Sequence, residues 1–213
     1  MNHGVQDYPA GRYLIEGNYF EGQTTNKCIS IDGFYDNIEI KNNQFINAYA
    51  IGISVGSSAT PIINKLDIVG NTFKGLTKTT ISVIQQVSLL RMIDNYAEEG
   101  GNAKLIQFGD GTNNGTIDHF ELRGNYLVNK QSNCIFYSQG SVVNTFVVKD
   151  NTMLGTGCGI DNANTPRMIL TGNYINVSNA TVRFVDTSTG NVYTNANVLS
   201  KAITLNNMTE QVL

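Results

Sequence analysis

One short phrase recurs along the whole chain and limits what it can fold into. It reads LIEGNYF at Leu14–Phe20, DIVGNTF at Asp67–Phe73, LRGNYLV at Leu122–Val128 and ILTGNYI at Ile169–Ile175. Looser copies are IKNNQF (Ile40–Phe45), MIDNYA (Met92–Ala97) and VKDNTM (Val148–Met153), with a ragged last one in VYTNAN (Val192–Asn197). The asparagines Asn18, Asn43, Asn71, Asn95, Asn125, Asn151, Asn173 and Asn195 stand 25, 28, 24, 30, 26, 22 and 22 residues apart. A period of about 20–30 residues marks a solenoid. Leucine-rich repeats need a Leu-x-Leu scaffold and helical repeats need long 3.6-residue periodicity; neither is present.

Each period holds alternating bursts instead. One leads into the Asn, as in NIEIKNNQF and FVVKDNTM, with apolar and polar residues alternating as in half-buried strands. Another follows it: CISIDG, IGISVG, TISVI, LIQFGDG, CIFYSQG, GCGIDN, TVRFVDT and AITLN. Two or three short strands per period, each pairing in parallel with its copy one coil on, make an all-β, right-handed, single-stranded parallel β-helix of about eight coils. At strand spacing that is a rod on the order of 40 Å tall. Residues 1–213 read as one domain and a segment of a longer protein, with 1–11 an irregular lead-in. In this reading the repeated Asn turns inward at a bend. There its amide pairs backbone groups that the bend leaves open, and it tolerates the left-handed conformation.

The phrase resembles the asparagine ladder of the pectin-lyase-like superfamily of right-handed β-helices, and the resemblance spans nearly the whole chain. Within it, the chain resembles the β-helical body of a bacteriophage tailspike. That implies binding, and in many such bodies cleavage, of bacterial surface polysaccharide, a homotrimer, and a place in the virion tail. Two other readings stay open: a non-catalytic shaft or adhesin, and a secreted pectin-lyase-like carbohydrate enzyme acting as a monomer.

Composition narrows the partners. The 213 residues carry a net charge of −3, with 15% charged and 41% hydrophobic. No basic run points to nucleic acid, and no apolar run approaches a membrane span. MNHGVQDYPAG lacks a signal-peptide pattern, which fits a mature fragment, a virion part assembled in the cytoplasm, or a chain cut from something longer. Cys28, Cys134 and Cys158 have no metal-ligand spacing and are expected to be free thiols; no cofactor and no metal is expected.

Three outward columns could carry chemistry. Asp32, Asp110, Gln139, Asp161 and Asp186 end the bursts that follow the Asn. If they stack, Asp161 and Asp186, with Asp110 as the alternative partner, are the candidate catalytic carboxylates at glycosidase spacing, and Gln139 would orient sugar or water. Asp before Gly or Asn also makes turns by bonding its own backbone. Tyr19, Tyr96, Tyr126 and Tyr174 follow the ladder Asn and should face out, with Tyr126 and Tyr174 the candidates for stacking on sugar. Val69, Ile93, Val147 and Ile169 interrupt an otherwise charged outward face, which suggests a subunit contact. Motifs of pectate lyases (clustered acids with Arg-Pro) and of polygalacturonases (Asn-Thr-Asp, Asp-Asp, Gly-His-Gly) are missing. The two histidines, His3 and His119, make histidine-based catalysis a poor fit.

Overall fold

A computed structural model describes residues 11–22, 27–48, 50–56, 62–99, 104–185 and 188–213. The described chain is a parallel β-solenoid of three sheets, with nine, eight and eight strands. The first rung sets the pattern. Strand Arg12–Glu16 lies on the first face, Tyr19–Glu21 on the second and Lys27–Ile31 on the third, and each pairs in parallel with the strand one coil later. Among the described residues there is no helix, hence none long and apolar enough to cross a membrane.

Alternation decides the faces. On the first face Ile38, Leu66, Leu90, Phe120, Phe146, Met168 and Val192 stack in one inward column, each buried. On the second face Phe20, Phe45 and Phe73 stack with ring centroids 4.8 and 4.6 Å apart. Parallel pairing places like residues over like, so the period of the sequence becomes the columns of the core.

The asparagine ladder is a continuous chain. Each Oδ1 accepts from both the backbone N–H and the Nδ2 of the Asn one rung before. At Asn125, Oδ1 accepts from Asn95 N at 2.9 Å and Asn95 Nδ2 at 3.0 Å. Its own Nδ2 donates to Met92 O at 2.8 Å, Arg123 O at 2.9 Å and Asn151 Oδ1 at 2.9 Å. The same links join Asn18, Asn43, Asn71, Asn95, Asn125, Asn151 and Asn173 in order. Backbone groups at the bend between first and second faces are thus satisfied inside the core.

Two details differ from the sequence reading. The eighth member is Asn197, which accepts from Asn173 N and Nδ2 at 3.0 Å, and not Asn195, which ends the first-face strand two residues earlier, paired with Thr171. The left-handed conformation belongs to the residue before each ladder Asn: Gly17, Asn42, Gly70, Asp94, Gly124, Asp150, Gly172 and Ala196, with φ between 50° and 68°. The ladder Asn is chosen for its amide, and its predecessor for tolerance of positive φ.

That preceding column alternates glycine with a larger residue. A Cβ on Gly70 would come 2.7 Å from Asn42 Oδ1, and Cβ atoms on Gly124 and Gly172 would overlap the Oδ1 of Asp94 and Asp150. Each Asn or Asp leans over the bend of the following rung, where only glycine fits.

The outward first face is bound by charge. Asp67, 3% exposed, accepts from Arg91 Nε at 2.7 Å and Nη2 at 2.6 Å, and from Lys65 Nζ at 3.0 Å. Burial raises its carboxyl pKa, but Arg91 and Lys65 outweigh burial and hold it below the usual carboxylate range. The aliphatics expected here as a subunit contact split between columns. Val69 and Ile93 share one column between Lys41 and Arg123, while Val147 and Ile169 follow Glu121 in the next. Ile93 is buried, so these four do not form one open apolar patch.

Candidate functional site

The tyrosine column forms as the repeat implies. Tyr19, Gln44, Thr72, Tyr96, Tyr126, Thr152, Tyr174 and Val198 are in register down the second face. Inward Asn forces outward Tyr, since neighbouring strand residues point to opposite sides. Tyr126 and Tyr174 are 42% and 45% exposed. One rung apart, Tyr96 and Tyr126 stack with centroids 5.6 Å apart and planes 2° from parallel.

Tyr96 is held by its own strand. Its hydroxyl donates to Glu98 Oε2 at 2.6 Å, and Glu98 pairs with Lys130. The hydrogen bond to Glu98, with burial behind it, pushes the Tyr96 phenol up to about 12. Tyr96 therefore stays a neutral donor across the physiological range, its ring fixed as a platform for Tyr126.

Beside this column the same strands carry Val128, Leu154 and Asn176, again in register. With Lys130 and Thr156 they line an open groove of about 340 Å³. Its floor is apolar and its rim carries an amide, a hydroxyl and an ammonium. Val128 and Asn176 lie two residues beyond Tyr126 and Tyr174 on the same strands, so groove and tyrosines share one face.

The acids do not stack as expected. Strand pairing sets Asp161 beside Tyr137, two residues short of the level of Gln139. Gln139 follows Ser138, which pairs with Phe108, and its Oε1 accepts from Gln107 Nε2 at 3.2 Å. The loops after these third-face strands differ in length, so residues that look equivalent when counted from a loop sit on different levels. Asp186 lies outside the described residues.

Asp110 is engaged in its own loop. Oδ1 accepts from Thr112 N at 2.8 Å and Asn113 N at 2.6 Å, and Oδ2 from Asn113 Nδ2 at 3.1 Å. The bonds from Asn113 and Thr112 hold its carboxyl below the usual range. Asp161 is 6% exposed, and its two oxygens accept from Arg183 Nε at 2.5 Å and Nη2 at 2.7 Å. The Cys134 thiol donates to Asp161 Oδ2 at 3.2 Å, and burial followed by the neighbouring carboxylate pushes that thiol's pKa up.

All three cysteines are free, as expected. The repeat places Cys134 and Cys158 on neighbouring rungs at different offsets from the ladder, nine residues after Asn125 against seven after Asn151. The two extra residues are taken up in the turn after Asn129. This buried Asn accepts from Gln131 N at 3.0 Å and donates to Cys134 O at 3.1 Å. Ile135 N then donates to Cys158 O, and Phe136 pairs with Ile160, which puts Cys134 opposite Cys158.

Comparison with known proteins found no protein family, no curated protein and no solved structure that matches this chain.

Proposed function

We propose that this β-solenoid binds bacterial surface polysaccharide along its second face, with Tyr126 and Tyr174 as stacking platforms and the Val128–Leu154–Asn176 groove beside them. The observation that carries the reading is the in-register column of half-exposed tyrosines next to a groove with an apolar floor and a polar rim. Sugar rings have apolar faces edged by hydroxyls, and rigid amphipathic Tyr rings beside amide, hydroxyl and ammonium groups complement both. Thr152 between the tyrosines leaves them two rungs apart, about 10 Å at strand spacing, so each can hold a separate unit of an extended chain.

Binding is favoured over cleavage. Asp110, though exposed, is committed to hydrogen bonds within its loop, and buried Asp161 is committed to Arg183, so neither is arranged as a proton donor. A tailspike-like setting, as a trimer in a virion tail, belongs to the same proposal and rests on the repeat phrase that resembles pectin-lyase-like β-helices.

The experiment is a binding screen against capsular and O-antigen polysaccharides, with the double variant Tyr126→Ala/Tyr174→Ala beside the parent. The expected result is binding by the parent, lost in the variant at an unchanged melting temperature. Equal binding by both would remove this face from the reading. New reducing ends released by the parent would show cleavage in place of simple binding, and mass in solution tests the trimer.

A further inference from the structure

The third face carries a cluster that the polysaccharide reading does not use. The sulfurs of Cys134 and Cys158 and a carboxylate oxygen of Asp161 all lie within 4.8 Å of one another. They come from two successive rungs, brought together because the turn after Asn129 absorbs two residues and sets the cysteines opposite each other. Cys134 is 9% exposed, Cys158 4% and Asp161 6%.

We propose that Cys134, Cys158 and Asp161 bind one soft divalent cation, with zinc the best fit, and that Arg183 orients the carboxylate from outside the coordination shell.

Ligand type selects the metal. Two thiolates and one carboxylate suit zinc, whereas calcium and magnesium prefer all-oxygen sites. The geometry is close to what a tetrahedral ion needs. With Zn–S bonds of about 2.3 Å, two sulfurs stand about 3.8 Å apart, within reach of a small side-chain rotation from the present spacing. The fourth tetrahedral position is left to water.

The same pair also lies within backbone reach of a disulfide, since strand spacing holds opposed residues about 4.8 Å apart and disulfides accept Cα separations of about 4.4–6.8 Å. Both sulfurs are free thiols in the structure, so the bridge is the competing outcome that the test separates from metal binding.

Charge agrees. Two thiolates and a carboxylate carry three negative charges. Arg183 supplies one positive charge and a divalent ion two, so the loaded site is neutral, as an enclosed site requires. Arg183 holds Asp161 through both oxygens. Metal-ligating carboxylates are typically fixed in this way by a hydrogen-bonding partner outside the shell. The thiol proton that Cys134 now directs at Asp161 Oδ2 occupies the line between the sulfur and the oxygen that the ion would bridge. Loading replaces that proton and the Cys158 proton with metal–sulfur bonds, and both protons pass to solvent.

The test is a titration of the full, reduced protein with cadmium, read by the ultraviolet thiolate-to-cadmium charge-transfer band and by proton release in weak buffer. The expected result is saturation at one equivalent with protons released, and a zinc-dependent rise in melting temperature. Cys158→Ser should weaken binding more than about 100-fold, beyond the 10–100-fold expected for Arg183→Gln outside the shell. Cys28→Ser should bind as the parent does. If Cys158→Ser folds poorly, Arg183→Gln and proton release from the parent still decide the matter. No band in the parent, a band that survives in Cys158→Ser, or a Cys134–Cys158 disulfide that persists under reductant would each overturn the proposal.

Discussion

Gly124 lies so close under the reach of Asp94 that a Cβ on Gly124 would overlap Asp94 Oδ1. Gly124 also has φ +66°, in the left-handed region. Gly124→Ala therefore meets two separate penalties. The conformational one is about 1–2 kcal/mol, and the overlap adds to it. Thermal melting should show a loss of more than about 2 kcal/mol for Gly124→Ala alone. In an Asp94→Gly background the same substitution should cost only the conformational part, and equal losses in the two backgrounds would show that the overlap is relieved at no cost.

Ala196 holds φ 50°, where every equivalent residue is Gly, Asn or Asp. Ala196→Gly should stabilise by about 1 kcal/mol, minus a few tenths for the added freedom of the unfolded chain. For a domain of this size that net gain raises the melting temperature by about 1–3 °C. A lower melting temperature would contradict the strain assigned to this bend.

Ladder members in the middle of the rod should be costly to lose. Asn71→Ala, Asn125→Ala and Asn173→Ala each strand buried amide and carbonyl groups, costing on the order of 1–3 kcal/mol. Asn125→Ala and Asn151→Ala share a hydrogen bond, so their costs should not add. Denaturant melts of the two singles and the double measure this. Strict additivity would mean that the ladder is a row of independent bonds.

Asp67 predicts a pH dependence. Its folded-state pKa lies below its ordinary value of 3.8, so the stability it lends is present in full above that value and is lost as pH falls through the folded pKa. Asp67→Asn should cost about 1–3 kcal/mol at neutral pH, because Arg91 and Lys65 lose their counter-charge. The gap between parent and variant should close below pH 3.8. A gap independent of pH would assign the cost to shape in place of charge.

Much of this architecture is legible from one residue type. Asn recurs because the bend needs an amide with both donor and acceptor. The neighbours on either side, such as Tyr126 after Asn125, inherit their faces from simple alternation. Legibility fails where turns change length. Asp110, Gln139 and Asp161 look equivalent in their short motifs, but register separates them, because only strand pairing says how many loop residues to discount. The same effect separates Cys134 and Cys158 by count though they share neighbouring rungs, and two residues in the turn after Asn129 reconcile their offsets. The last ladder position reads two residues early in the sequence, at Asn195 in place of Asn197, for a related reason: VYTNAN offers two asparagines, and only the ladder hydrogen bonds distinguish them.

The alternation of glycine with Asn or Asp before the ladder gives the rod a grammar of pairs. Coils that look interchangeable by their asparagines differ in whether they project a side chain onto the next bend or receive one. Excising Tyr126–Asn151 would set Gly124 beneath Gly172, which leaves room. Excising Tyr96–Asn125 would set Asp94 beneath Asp150, where Asp94 would run into a neighbour that has a Cβ. Lengthening or shortening such a rod without repair is therefore safe in steps of two coils, and a single-coil change is safe at one phase of the alternation and not at the other.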